Sequence, residues 1–488
     1  MSKLPSGWAR TTLGTVADWG AGGTPSRSQP NFYGGKIPWI KSGELNSRYI
    51  KTTEESITEE AIKSSSAKIF PAGSVAIAMY GATIGKTAIL GVDASTNQAC
   101  AVGVPVEGLI GKEYLYRLLQ NEKAAFIEKG KGGAQPNISQ AVIKAHEIGL
   151  PPLAEQTRIA VKLDELLAQV DNLKARVDGI PALLKRFRQS VLAAAVSGRL
   201  TEEWRKENLI RYNWIDKTVK ASVEAERAAL GFKPIKVSES RNANRTEAPS
   251  SWVWLKLSET ALKITDGAHN TPKTLEQGFP YITAKNLTGG VLDFTDRKFI
   301  AEKEHRELYK KCAPAIGDLL IVNIGAGTGN SATVTVDFEF SFKNIAIIKR
   351  PKIINPQYLK IFFDARKKTI FNEQTQGGAQ PFLSLTMLGN IEIVLPPSEE
   401  QTEIVRQVEQ LFAFADQLET RVKSIQARID NLTQSVLAKA FCGELVSQDP
   451  NDESASVLLE RIKAQRAAAP KAKRGRRSAT AGLASHLE

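Results

Sequence analysis

The sequence predicts an α+β fold: two pseudo-two-fold-related, mostly-β domains separated by an antiparallel two-helix coiled coil. Three observations predict it. Residues from about 4 to 229 recur, with drift, from about 248 to 468, at an offset between 239 and 245. Short β-like runs broken by glycine fill the first part of each copy. After the Leu-Pro-Pro of each copy, apolar residues alternate steps of four and three without a break. A repeat this long exceeds the 20–50 residues of solenoid units and is a duplicated domain with its connector.

The elements follow in order. The copies open alike, Pro5-Ser6-Gly7-Trp8 against Pro249-Ser250-Ser251-Trp252. Residues 1–150 form the first β-rich domain, with strands such as 75–79 and 87–90 flanking Gly81 and Gly85, and a helix near 113–127. Residues 151–198 are the first long helix, with a seam of Ile159, Leu163, Leu166, Val170, Leu173, Val177, Ile180, Leu184, Phe187 and Val191. Pro181 removes one backbone hydrogen bond, so one kinked helix is expected. Residues 199–247 are a connector, with a short helix at 219–230 and a flexible polar end. Residues 248–395 repeat the domain, and residues 396–445 repeat the helix. Its seam is Ile404, Val408, Leu411, Ala415, Leu418, Val422, Ile425, Ile429, Leu432 and Val436. Residues 446–488 read as a short helix and a basic disordered tail.

Two a/d seams of equal length and register are natural partners. Each helix begins directly after its own domain, so a parallel pair would crowd both domains at one end. An antiparallel pair holds them apart. At 1.5 Å per residue the seam is roughly 50 Å long, which spans about fourteen base pairs of B-DNA.

Hydrophobic content of 42% and charged content of 24% suit an ordinary soluble globular protein. No apolar run reaches bilayer length and no signal peptide opens the chain, so a cytoplasmic protein is expected. Cys100, Cys312 and Cys442 are far apart and odd in number, which fits a reducing compartment. The net charge of +13 favours an anionic partner such as nucleic acid, although part of the excess lies in the tail.

Catalytic signals are missing. Gly81 and Gly85 are separated by three residues where a phosphate loop needs four, and the second copy has no lysine there. These segments read as glycine hairpin turns. His146, His269, His305 and His486 are scattered without metal-ligand spacing, so neither a catalytic residue nor a metal site is assigned. What remains is polar, glycine-flanked and paired by the repeat. In the first copy the candidate DNA contacts are Thr24, Ser26, Arg27, Lys41, Tyr80, Thr83, Lys86, Lys131, Gln135 and Asn137. In the second they are His269, Thr271, Lys273, Lys285, Asn286, Asn323, Asn330, Gln376 and Gln380. Arg, Lys, Asn and Gln on loops are the side chains that read base edges and hold phosphates. The alternative for any one of them is a turn that the fold requires.

Several strings are more specific than a generic coiled coil: 150–156, 162–171, 184–192, 408–413 and 434–441. Through them the chain resembles the specificity subunit of a type I restriction–modification system. The resemblance implies two target recognition domains, each reading one half of an asymmetric bipartite site in double-stranded DNA. It implies helices that set the spacer and dock two modification (adenine-methyltransferase) subunits, with two restriction subunits added through them. S-adenosylmethionine, ATP and Mg2+ would then sit on the partner subunits, and this chain would carry no cofactor and no catalysis. Recognition domains are where family members differ, so no base contact carries over. The alternatives are a free-standing DNA-modifying enzyme with an unrecognised active site, or a coiled-coil scaffold that does not bind DNA.

Overall fold

Both glycine-punctuated regions fold into sheets of the same plan. The computed structural model describes residues 4–130, 136–208, 215–235, 247–268, 271–325, 327–374 and 382–468. Outside the sheets lie α1 (Leu153–Asp178), α2 (Ile180–Val196), α3 (Asp216–Ala229), α4 (Ser398–Phe441) and α5 (Ala455–Ala468). The chain divides into two compact units, one of residues 1–178 with 424–488 and the other of residues 179–423. Each unit holds one sheet domain and part of the helical region.

In the first unit a five-stranded sheet runs in the order Ala17–Ala21, Cys100–Pro105, Val75–Ala78, Thr87–Leu90, Tyr49–Ile50. A four-stranded sheet runs Glu55–Ile57, Tyr33–Ile40, Ala94–Thr96, Ile69–Phe70. Strands 75–78 and 87–90 are wholly buried, so apart from Thr87 their sequences are continuously apolar rather than alternating. The pleat still sorts them. Val75, Ile77 and Ile89 pack with Leu115 and Leu119 of the helix Lys112–Asn121. Ala76, Ala78, Ala88 and Leu90 face Ile40, Leu45 and Ile50.

The second unit repeats this. Leu319, Ile321 and Ile348 pack with Tyr358, Leu359 and Phe362 of the helix Pro356–Gln374. Leu320, Val322 and Ile347 face Ile282, Phe340 and Phe342. Its main sheet has four strands and its second sheet three.

A two-stranded ribbon closes each domain, with Ala9 opposite Leu150 and Val253 opposite Leu395. The Leu-Pro-Pro that follows ends the ribbon and starts a long helix. The Glu-Gln after it fastens the joint. Buried Glu155 accepts from Trp8 Nε1 at 3.0 Å, and buried Glu400 accepts from Trp252 Nε1 at 2.8 Å. Gln156 donates to the carbonyls of Leu109 and Pro151, while Gln401 donates to those of Ile353 and Pro396. These strings recur because each builds one buried junction between a domain and its helix.

α1 and α2 are separated only by Gly179, whose φ of −75° and ψ of −22° remain helical. The expected single kinked helix is therefore two, with Pro181 in the first turn of α2. The missing proline N–H interrupts the ladder while the backbone keeps its winding. Within the first unit α1 and α4 are antiparallel. Lys174 bridges Asp430 at 2.6 Å, and Gln426 donates to Asp178 at 2.8 Å. Within the second unit Arg188 of α2 pairs with Asp416 and Glu419 of α4.

Among the seam positions Ile159, Leu163, Val170, Leu184, Ile404, Val408, Val422 and Ile429 are buried. Leu166, Val177, Leu411 and Leu418 are half-buried. Leu173, Ile425 and Leu432 depart from expectation, being 46%, 42% and 44% exposed. They lie in the stretch of α1 and α4 that contributes little to the domain core. Leu167, absent from the expected seam, is buried against that core instead.

The connector and the C-terminal segment do more than link. Val219 and Val223 of α3 are fully buried in the second unit's core, and Arg227 donates to the carbonyls of Ser258 and Ala261. Ala455, Leu458, Leu459 and Ile462 of α5 take the matching place in the first unit. Gly198 after α2 and Gly443 after α4 share a φ of +76°, the left-handed helix end that glycine adopts without strain.

Candidate nucleic-acid interface

Three loops meet at one sheet edge in each domain. In the first domain Gly22 and Gly23 donate to the carbonyls of Cys100 and Thr96, and Met79 donates to that of Ala99. Residues 96–100 therefore lie between the Gly22 loop and the glycine turn that follows Met79. A Cβ on Gly22 would stand 2.2 Å from the Asn97 carbonyl oxygen, so no other residue fits that approach. The loop entering at Pro136 joins the same edge, with Gly81 donating to Pro136 and Ile138 to Met79 at 2.9 Å each. This brings Tyr80 opposite Asn137. The second domain places Ile324 opposite Phe382, and Asn323 accepts from Leu383 N–H. There Gly267 and Ala268 donate to Ile345 and Phe342, so residues 342–345 fill the intervening place.

The candidate side chains divide by what they touch. Tyr80 is 44% exposed at the turn, and Asn137 is exposed beside it. Thr83 donates to the Tyr80 carbonyl, and Lys86 donates to Asn46 at 2.7 Å. Thr24 donates to Gln98, and Ser26 bonds Ser28. Arg27 stacks over Tyr33 and Trp39, at 4.3 and 5.4 Å from the ring centroids, and makes a two-pronged pair with Glu55. Lys41 bonds both Glu54 and Glu55. The hydrogen bond from Arg27, and then that from Lys41, hold the Glu55 carboxyl below its ordinary value. These two cations thus have carboxylate partners within the chain. No local pattern linking positions 27, 41 and 55 foretells it.

In the second domain Lys273 and Lys285 are exposed. Thr271 accepts from Lys343, and Asn330 from Lys367. Asn286 is buried, its side chain accepting from Thr283 N–H and donating to the Asp293 carbonyl, so it shapes a turn rather than facing a ligand. Asn323 is buried too, at the end of a core strand. Both polar residues lie inside because the turns following strands 279–282 and 319–322 fold back over them. Lys131, Gln135, His269, Gln376 and Gln380 lie outside the described residues.

Sequence reasoning missed Arg48, which with Arg117 brackets Asp164 of α1 at 2.7 Å each. It also missed Lys298 and Lys343 beside Lys285. Among the described residues no group of three His, Cys, Asp or Glu side chains could hold a metal ion, and no helix is long and apolar enough to cross a membrane.

Two sheet domains of one plan, each gathering glycine-bound loops at an edge and each joined to a long helix, define a chain built by duplication. A family model for the type I restriction modification DNA specificity domain matches residues 5–182 and again 249–427. The chain belongs to the specificity subunits of type I restriction–modification systems. It is 31% identical to the EcoKI specificity subunit of Escherichia coli K12, over 96% of this chain and 97% of that one. It is 29% identical to the StySPI specificity subunit of Salmonella potsdam, over 98% and 99%. Among solved structures, the HsdS subunit from Thermoanaerobacter tengcongensis shares the fold at a TM-score of 0.57 and 19% identity, covering 91% of this chain and 98% of that one.

Proposed function

We propose that each sheet domain reads one half of an asymmetric bipartite site in double-stranded DNA, and that the paired helices set the spacer between the halves. The observation that carries this reading is the same loop assembly occurring in both domains with different side chains. The Tyr80–Asn137 pair of one is Ile324–Phe382 in the other. Like scaffolds with unlike contact residues suit half-sites of different sequence.

The helices also dock two modification subunits, which bring two restriction subunits. S-adenosylmethionine, ATP and Mg2+ belong to those partners, and this chain directs the chemistry without performing it. Methylating adenine N6 needs the base out of the stack, a task for the modification subunit. The relatives named above as specificity subunits support the assignment.

The test is methylation-sensitive sequencing of DNA treated with the chain and its modification partner. Exchanging residues 1–150 for those of a relative should change one half-site only. Inserting one heptad into both helices should lengthen the spacer with both halves unchanged; an altered half-site would defeat the ruler. Methylation by this chain alone would defeat the non-catalytic reading.

A further inference from the structure

The two domains differ in charge at one matched position. In the first, strand 33–40 places Trp39 opposite Glu55. In the second, strand 279–282 places Tyr281 opposite Lys298. Around Trp39 the site is closed: its indole N–H donates to the Gly23 carbonyl at 3.0 Å, Arg27 covers the ring, and Glu55 ties down Arg27 and Lys41. Around Tyr281 a cleft of about 320 Å³ remains, walled in part by Lys285, Lys298, Lys343 and Thr271, with Asp296 as its carboxylate. Lys343 donates to Thr271, while Lys285 and Lys298 have no ion-pair partner among the described residues. Tyr281 is 1% exposed, and its hydroxyl has no hydrogen-bond partner. Buried hydroxyls are nearly always bonded, so one without a partner at a cleft wall calls for a ligand atom.

We propose that this cleft seats a phosphodiester group of the DNA backbone, bound by Lys285 and Lys298 with the Tyr281 hydroxyl donating to a phosphate oxygen. Ammonium groups donate and never accept. Lysines in excess over one carboxylate supply the net positive charge that a phosphate oxygen calls for, whereas the acceptors of a base edge carry no formal charge. The inference rests on the DNA-binding reading and adds an asymmetry to it. The second domain holds backbone through this seat, whereas the first has Glu55 at the position of Lys298 and keeps its nearby cations, Arg27 and Lys41, paired internally.

The test uses the full chain and a random-sequence duplex, with binding measured across a salt series. Lys285→Ala with Lys298→Ala should shallow the plot of log affinity against log salt by about 0.9 for one lost phosphate contact. Tyr281→Phe should weaken binding on the order of tenfold without lowering the melting temperature, because the hydroxyl is unpaired in the free protein. An unchanged slope in the lysine variant, with the parent binding normally, overturns the seat and leaves the DNA reading intact. Altered sequence preference at constant slope assigns the cleft to bases and also overturns it. A parent chain that binds no duplex defeats the DNA reading itself, and the seat with it.

Discussion

Replacing Arg205 with alanine should strand a buried charge in the second unit. Glu400 is fully buried, and its carboxylate accepts from Trp252 Nε1, from Thr201 Oγ1 at 2.8 Å, and from Arg205. Arg205 is its only ion-pair partner among the described residues. Deleting one member of a buried pair costs roughly 3–5 kcal/mol, because the remaining charge has lost its compensation. For a unit of residues 179–423, where 1 kcal/mol moves the midpoint by about 2–4 °C, the fall is on the order of 10 °C. Scanning calorimetry, following the transition that carries this unit, measures it. Adding Glu400→Gln to Arg205→Ala should recover part of it, because the neutral amide leaves no charge stranded. A fall equivalent to less than 1 kcal/mol, or no recovery on adding Glu400→Gln, would refute the argument.

The matching carboxylate of the first unit gives a pH prediction. Burial raises the Glu155 carboxyl above its ordinary value of 4.5, partly offset by the hydrogen bond from Trp8. A raised carboxyl pKa means that the folded state holds its proton longer, so this contribution is present below 4.5 and lost as pH rises toward the folded value. Relative to Glu155→Gln, the parent should therefore lose stability over that window in paired denaturation curves; parallel curves would contradict it. In the first domain, Glu55→Gln releases Arg27 and Lys41, and the salt dependence of DNA binding should steepen. Gly267→Ala places a Cβ 2.1 Å from the Phe342 carbonyl oxygen and should destabilise the second unit, read as a lower midpoint in the same calorimetric scan.

What the sequence by itself determined was periodic or duplicated. The heptads placed α1, α2 and α4, because helical burial repeats within a few residues of itself. The glycine turns at 81–85 and 325–329 were legible because wholly apolar strands, 75–78 and 319–322, lead into them. The Leu-Pro-Pro-x-x-Glu-Gln joints were visible as strings, but their purpose was not. Glu155 meets Trp8 across 147 residues, and Glu400 meets Trp252 across 148.

Only the tertiary structure decided which polar residues face outward. Asn286 and Asn323 have the loop character of contact residues, yet the chain folds over both. It decided as well that α5, near the end of the sequence, completes a core begun by Trp8 and Leu13. Most of all it decided the charge of each loop edge. Whether Arg27 is neutralised, or Lys298 stands open, depends on which residue lies across a strand pair. Cross-strand partners are chosen by sheet register, a long-range property that local spacing does not encode.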